Sequence, residues 1–143
     1  MLVEQISVFI ENKKGRLSEI AEVLAKNNID ISALSLADTD EYGVLRMIVT
    51  DPHKAKTVLA EHGVIGKVTP VLAVAIEDRP GGFYEALSVL TDNHVEIKYM
   101  YACVSHEKGK ALMILSVENP ETAEEMIVNS KENITNPSSI YRI

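Results

Sequence analysis

Short strand-like runs alternate along the chain with stretches of helical period. Leu2, Ile6, Val8 and Ile10 alternate imperfectly with polar residues and predict a strand over 2–11. A polar turn at 12–15 follows. Leu17, Ile20, Ala21 and Leu24 then recur at i, i+3, i+4 and i+7, the apolar stripe of an amphipathic helix. That helix is predicted to stop at Asn27-Asn28, because asparagine tolerates the left-handed conformation common at helix ends. A second strand opens at Ile29, and a polar hairpin loop containing Gly43 leads to a third over 44–50. Pro52 behind Asp51 reads as the first turn of a second helix with an aspartate N-cap, and Ala55, Val58 and Leu59 form its stripe. A fourth strand over 64–68 closes the unit.

The same plan is then written again. Residues 6–31 set above 72–97 match without a gap, and nine of 26 positions are identical: Val8/Val74, Ile10/Ile76, Glu11/Glu77, Gly15/Gly81, Glu19/Glu85, Val23/Val89, Leu24/Leu90, Asn27/Asn93 and Ile31/Ile97. Farther on, Gly43/Gly109 and Met47/Met113 keep the register, and a shift of two residues aligns Asp51-Pro52 with Asn119-Pro120. In the second copy Phe83, Ala86, Leu87 and Leu90 form the first helical stripe, and Asn93-His94 the stop. Val95, Ile97, Tyr99, Tyr101 and Cys103 alternate, which predicts that they share one inward strand face. A third strand over 111–118 precedes a helix carrying Ala123, Met126 and Ile127, and the fourth strand is expected at 140–143, after a polar segment at 129–139.

The order is βαββαβ, twice. Right-handed crossovers make an α+β class the natural solution: two tandem ferredoxin-like sandwiches, each an antiparallel sheet with its helices on one face. The expected domains are 1–70 and 71–143, joined near Pro70 almost without a linker, which predicts packed copies rather than beads on a string.

Composition narrows the functions. A net charge of −7 argues against a nucleic-acid partner, since phosphate binding needs a surplus of Lys and Arg. Cys103 is the single cysteine, so neither an intramolecular disulfide nor a cysteine-based zinc site can form, and a buried structural thiol is expected. No apolar stretch approaches the ~20 residues that span a bilayer. "MLVEQISVFI" lacks the basic start of a secretory signal, so a cytoplasmic protein without a membrane partner is expected. His53, His62, His94 and His106 show no metal-ligand spacing, and Asp38, Asp40 and Glu41 read as a solvated loop. The expectation is a protein without catalytic residues, metal or cofactor.

One corner of each copy stands out. In "EDRPGGF" (77–83), Arg79-Pro80-Gly81-Gly82 suits a type II turn with glycine at the position of positive φ. "ENKKGRL" (11–17) keeps the glycine without the proline. The helix behind each turn opens with unpaired backbone N–H groups and a partial positive charge, suited to a carboxylate. Asp78 could accept from an ammonium group or cap the turn locally, and Asn12 carries both donor and acceptor. These groups match the two ends of an amino-acid zwitterion.

"EDRPGGFYEALSVLTDNHVEI" resembles the ACT domain, whose signature runs roughly acid-x-Pro-Gly-x-Leu, a helix, then an Ile-x-Ile strand. "ENKKGRLSEIAEVLAKNNIDI" is similar, with Asn12 for the acid and Lys14 for the proline, and Phe83 replaces the usual leucine in the second copy. The resemblance covers nearly the whole chain. It implies a fold that binds amino acids or related small effectors, often with modules paired side by side, and that regulates an enzyme. Carried over, the ligand-binding residues are Asn12, Gly15, Arg16 and Leu17 with Asp78, Gly81, Gly82 and Phe83, facing strand-two positions Ile31-Ser32 and Ile97-Lys98. The partners expected are a small molecule, a regulated enzyme or regulator protein, and, through free strand edges, a second copy in a homodimer. Two other readings compete: a small acylphosphatase-like hydrolase using Lys13, Lys14 and Arg16 around an anion, and a structural or partner-binding module with degenerate pockets.

Overall fold

The computed structural model describes residues 1–38, 41–130 and 134–141. Its elements run β1 (Leu2–Glu11), α1 (Arg16–Lys26), β2 (Ile31–Asp38), β3 (Tyr42–Val49), α2 (Pro52–Glu61), β4 (Gly66–Glu77), α3 (Gly82–Asp92), β5 (Ile97–Cys103), β6 (Lys110–Val117), α4 (Pro120–Ser130) and β7 (Ile134–Thr135). This is the α+β, twice-repeated ferredoxin-like plan. Two compact units form: Glu4–Thr69, and Met1–Val3 together with the chain from Pro70 onward. Within the described residues no helix is long and apolar enough to cross a membrane.

In the first unit the strand order is β2–β3–β1, with the opening residues of β4 beyond β1. Antiparallel registers such as Val8↔Leu45 and Leu36↔Leu45 place alternate residues on the helix-covered face. Ile6, Val8 and Ile10 meet Leu45, Met47 and Val49 there, under Ile20, Val23 and Leu24 of α1 and Ala55 and Leu59 of α2. Each large side chain so buried is worth roughly 1.5–3 kcal/mol against exposure. Leu17 of the expected stripe stays 44 % exposed, and Val23 takes the inward place expected for Ala21. Asp51 caps α2 by accepting from the Lys54 amide at 2.9 Å. The fourth strand starts two residues later than expected, at Gly66, because the Val64 amide is used to close α2 on the Leu59 carbonyl at 2.9 Å. It then continues unbroken through Pro70 to Glu77.

The second unit has the order β4–β6–β5, with β7 on the other side of β4. Its core joins Leu72, Val74 and Ile76 to Ala86, Leu90, Leu115, Ala123 and Ile127. Three expectations are corrected here. The closing strand is not at 140–143 but at Ile134–Thr135, pairing with Ile76 and Ala75. Ile134 is the β-branched residue that fills the core beside Ile76, whereas Ile140 is buried without strand pairing and residues 142–143 lie outside the described residues. The left-handed helix stop falls on Asn28 (φ 58) in the first copy but on His94 (φ 57) in the second.

The third correction concerns β5. The pairing Ile97↔Val117 is followed by Tyr99↔Ser116, so a β-bulge at Lys98 breaks the alternation. Ile97 and Met100 pack on the helix-side core, while Tyr99, Tyr101 and Cys103 turn to the opposite face. One inserted residue reverses every side chain beyond it. The first copy has the same bulge between Ile31 and Ala33.

The chain ends of this unit are tethered. The Met1 ammonium donates to the Ala73 carbonyl at 3.1 Å and to Asn136 Oδ1, and pairs with Glu124 at 3.2 Å. Burial nevertheless pushes the pKa of this amine down. Ser138 donates both its amide and its hydroxyl to Glu107 Oε1, at 2.7 and 2.8 Å.

Candidate functional site

Both corners are built alike. The Arg16 amide donates to the Lys13 carbonyl at 3.2 Å, and the Gly82 amide to the Arg79 carbonyl at 3.0 Å. Gly15 (φ 83, ψ −5) and Gly81 (φ 86, ψ −18) hold the third position of a type II turn and serve as N-caps of α1 and α3. Glycine has no capping side chain, so neither helix has a side-chain cap. The next helical amides to bond backward are Glu19 and Glu85, onto the Gly15 and Gly81 carbonyls at 3.0 Å. The first-turn amides of Leu17-Ser18 and Phe83-Tyr84 therefore point out of each corner, as helix starts do.

Beyond this shared frame the corners differ. At the first, a cleft of about 100 Å³ is lined by Ile10, Glu11, Asn12, Lys13, Arg16, Leu17, Leu36 and Gly43. The Asn12 amide is held by the Glu41 carbonyl at 3.1 Å, and Arg16 leans on Glu19 at 2.9 Å. Nothing lies within 4 Å of where a Cβ on Gly15 would sit, so this glycine answers to its backbone angle alone.

At the second corner a Cβ on Gly82 would lie 2.1 Å from the Glu77 carbonyl oxygen. Gly82 is buried because the chain packs against itself there. Phe83 sits over a nearly filled apolar space of about 10 Å³ among Val74, Ala86, Leu90, Met100 and Ile134. The Asp78 amide bonds the Gly109 carbonyl at 3.0 Å, and Arg79 is taken by Glu85 at 2.6 Å, an ion pair that raises the arginine pKa.

The strand-two positions are not beside their own corners. In β2 the end near the first corner is Asp38, paired with Gly43, whereas Ile31 pairs with Val49 at the opposite end. Four residues of strand, roughly 13 Å, separate Ser32 from Leu36 at the cleft. Ile97 and exposed Lys98 stand at the corresponding far end of β5. Ser32 Oγ is buried without a hydrogen-bond partner among the described residues. The unit's exposed apolar residues include Leu17, Leu34 and Leu36, the last two on edge strand β2. Periodicity alone could not single them out, because the bulge at Ser32 decides which face they take.

Two of the three cations of the expected anion cluster are held by neighbouring carboxylates: Lys13 pairs with Glu11 at 2.5 Å, and Arg16 with Glu19. Among the described residues no group of three or more His, Cys, Asp or Glu side chains could hold a metal ion. Asp40 of the acidic loop lies outside the described residues. Cys103 is half-buried rather than part of the helix-side core, and desolvation pushes its thiol pKa up to about 11.

No curated protein matches the chain. Among solved structures it is similar to protein BT0572 from Bacteroides thetaiotaomicron, 34% identical over 100% of this chain and 98% of that one, with a TM-score of 0.89. The regulatory subunits of aspartate kinase from Thermus thermophilus (ligand-free form) and Thermus flavus share the fold. Their TM-scores are 0.65 and 0.64 at 14% and 15% identity, covering 90% and 88% of this chain and 93% and 90% of theirs. The family model described as an ACT domain pair matches residues 1–142. With the duplicated βαββαβ plan and the glycine corner in each copy, that match shows that the chain belongs to the ACT domain pair family.

Proposed function

We propose that this protein is a non-catalytic regulatory module that binds a free amino acid at its first corner, within a homodimer paired through β2. The observation that carries the reading is the difference between the corners. The first has an open cleft with Asn12 and Glu11 beside the Gly15 turn, whereas at the second the chain packs tightly between Gly82 and the Glu77 carbonyl. The amino acid's carboxylate takes the uncapped amides behind Gly15, where the helix start favours negative charge. Its ammonium group faces Asn12 Oδ1 and competes with Lys13 for the Glu11 carboxylate.

A cleft of about 100 Å³ accommodates the charged end of an amino acid and leaves a side chain to be covered from outside. A second copy supplies the cover. Antiparallel pairing of β2 with its symmetry mate brings the mate's Ile31-Ser32 end over this chain's Asp38 end. It also buries exposed Leu34 and Leu36. Ser32 Oγ, unpartnered among the described residues, then has a ligand to meet. Occupancy is reported to a separate enzyme or regulator protein.

Calorimetry of the full chain against the twenty amino acids is the test. At least one should bind saturably and, at 100 times its dissociation constant, add about 2.7 kcal/mol of stability. Binding should disappear in a folded Gly15→Val variant and persist in Asp78→Ala. A Leu36→Asp variant should sediment as a monomer and bind more weakly. A folded protein that binds none of the twenty overturns the proposal.

A further inference from the structure

The two copies differ at the end of the sheet opposite the corners, where the first helix stops and the second begins. In the first copy Lys54 of α2 reaches across and donates its ammonium to the Asn27 carbonyl at the end of α1, at 2.8 Å. The Asp30 amide donates to Thr50 Oγ1 at 3.1 Å, closing the same joint. A helix C-terminus exposes unsatisfied carbonyls and a partial negative charge, so a cation is the group this position favours.

In the second copy the aligned residues are Asn93 for Asn27, Glu96 for Asp30, Glu118 for Thr50 and Thr122 for Lys54. The lysine is gone and a carboxylate has replaced the threonine. A cleft of about 270 Å³ stands in that place, lined by Asn93, Glu96, Glu118 and Thr122 over the apolar Val95 and Met126. Among the described residues neither Glu96 nor Glu118 has a hydrogen-bond or ion-pair partner in the chain. The first copy thus shows an ammonium group on the carbonyl that aligns with Asn93.

We propose that this cleft binds a primary alkylammonium group. The ammonium donates to the Asn93 carbonyl, as Lys54 does to the Asn27 carbonyl in the first copy, and to the Glu96 and Glu118 carboxylates, and its alkyl chain lies along Val95 and Met126. Three N–H donors suit three acceptors. The carboxylates are exposed, so the attraction weakens as salt rises. The site is separate from the corner and does not depend on amino-acid binding there.

The test is an amide-resolved NMR titration of the full chain with n-butylammonium chloride, the free equivalent of the Lys54 side chain. Saturable shifts are expected at 93–96 and 118–123, without matching shifts at 27–30 and 50–55. Glu118→Gln should weaken binding roughly five- to tenfold, as loss of a charge-assisted contact does. Thr122→Lys should fill the cleft from within and abolish binding in a folded, more heat-stable protein. Tighter binding of Nα-acetyl-lysine methylamide than of n-butylammonium assigns the site to a lysine of a partner protein, and the reverse order to a small free amine. Absence of saturable shifts overturns the proposal. So do equal shifts from 1-butanol, or binding unchanged in Thr122→Lys.

Discussion

The backbone of Gly82 passes so close to the Glu77 carbonyl that a Cβ on it would lie 2.1 Å from the oxygen, whereas the aligned Arg16 carries a full side chain in the first copy. Two glycines side by side at the second corner therefore have unlike jobs. Gly81 supplies a positive φ, and Gly82 supplies absence of bulk.

Gly82→Ala should accordingly be the more damaging corner substitution. Its methyl group meets backbone, which cannot rotate aside, and a loss of roughly 3 kcal/mol is expected. Gly15→Ala meets open space and strains only its φ of 83, for about 1 kcal/mol. Urea unfolding of both variants measures the order, and equal losses would mean that strand β4 shifts to relieve the contact.

Asp51→Ala should cost about 1 kcal/mol, since it orphans the Lys54 amide that the aspartate caps. Asp51→Asn keeps an acceptor and should recover most of the loss in the same unfolding measurement.

Cys103 should react slowly with iodoacetamide. A thiol pushed up to about 11 from an ordinary 9.0 has roughly 100-fold less thiolate at neutral pH. The rate should climb steeply with pH through the alkaline range and jump to that of a free thiol in denaturant. A free-thiol rate in the native protein would place the sulfur in water.

The Glu107 tether should make the end of the chain acid-sensitive. Hydrogen bonds from the Ser138 amide and hydroxyl lower this carboxyl's pKa from its ordinary 4.5. Its stabilisation is therefore complete above the unfolded value and lost as pH falls through the lowered folded value. In a carboxyl-detected NMR titration, Ser138→Ala should move the Glu107 pKa up toward 4.5. No upward movement would show that the Ser138 hydroxyl is not a partner, since the substitution leaves the amide bond in place.

Much of the corner is legible in the sequence. A glycine recurring at 15 and 81 between a strand pattern and a helical one predicts a positive-φ turn, and both have one. The strand-two contribution was harder to read. Ile31-Ser32 and Ile97-Lys98 lie at bulges, where alternation of apolar residues stops reporting the face. For that reason alternation sets Tyr99, Tyr101 and Cys103 on the wrong face. The closing strand was misplaced because Ile134-Thr135 is too short a run to rise out of a polar segment, and only pairing with β4 makes it a strand.

The sequence alone determined the duplication, the order of elements, the caps and the turn glycines. Those features depend on φ preferences and on periods of two or 3.6 residues, which act between near neighbours in the chain. The tertiary structure decided how closely each corner packs, which face β5 presents and why Gly82 must be glycine. It also showed that Lys54 closes a joint that Thr122 leaves as a cleft. Each of these is set by contact between residues far apart in the chain, which neither φ preference nor periodicity reports.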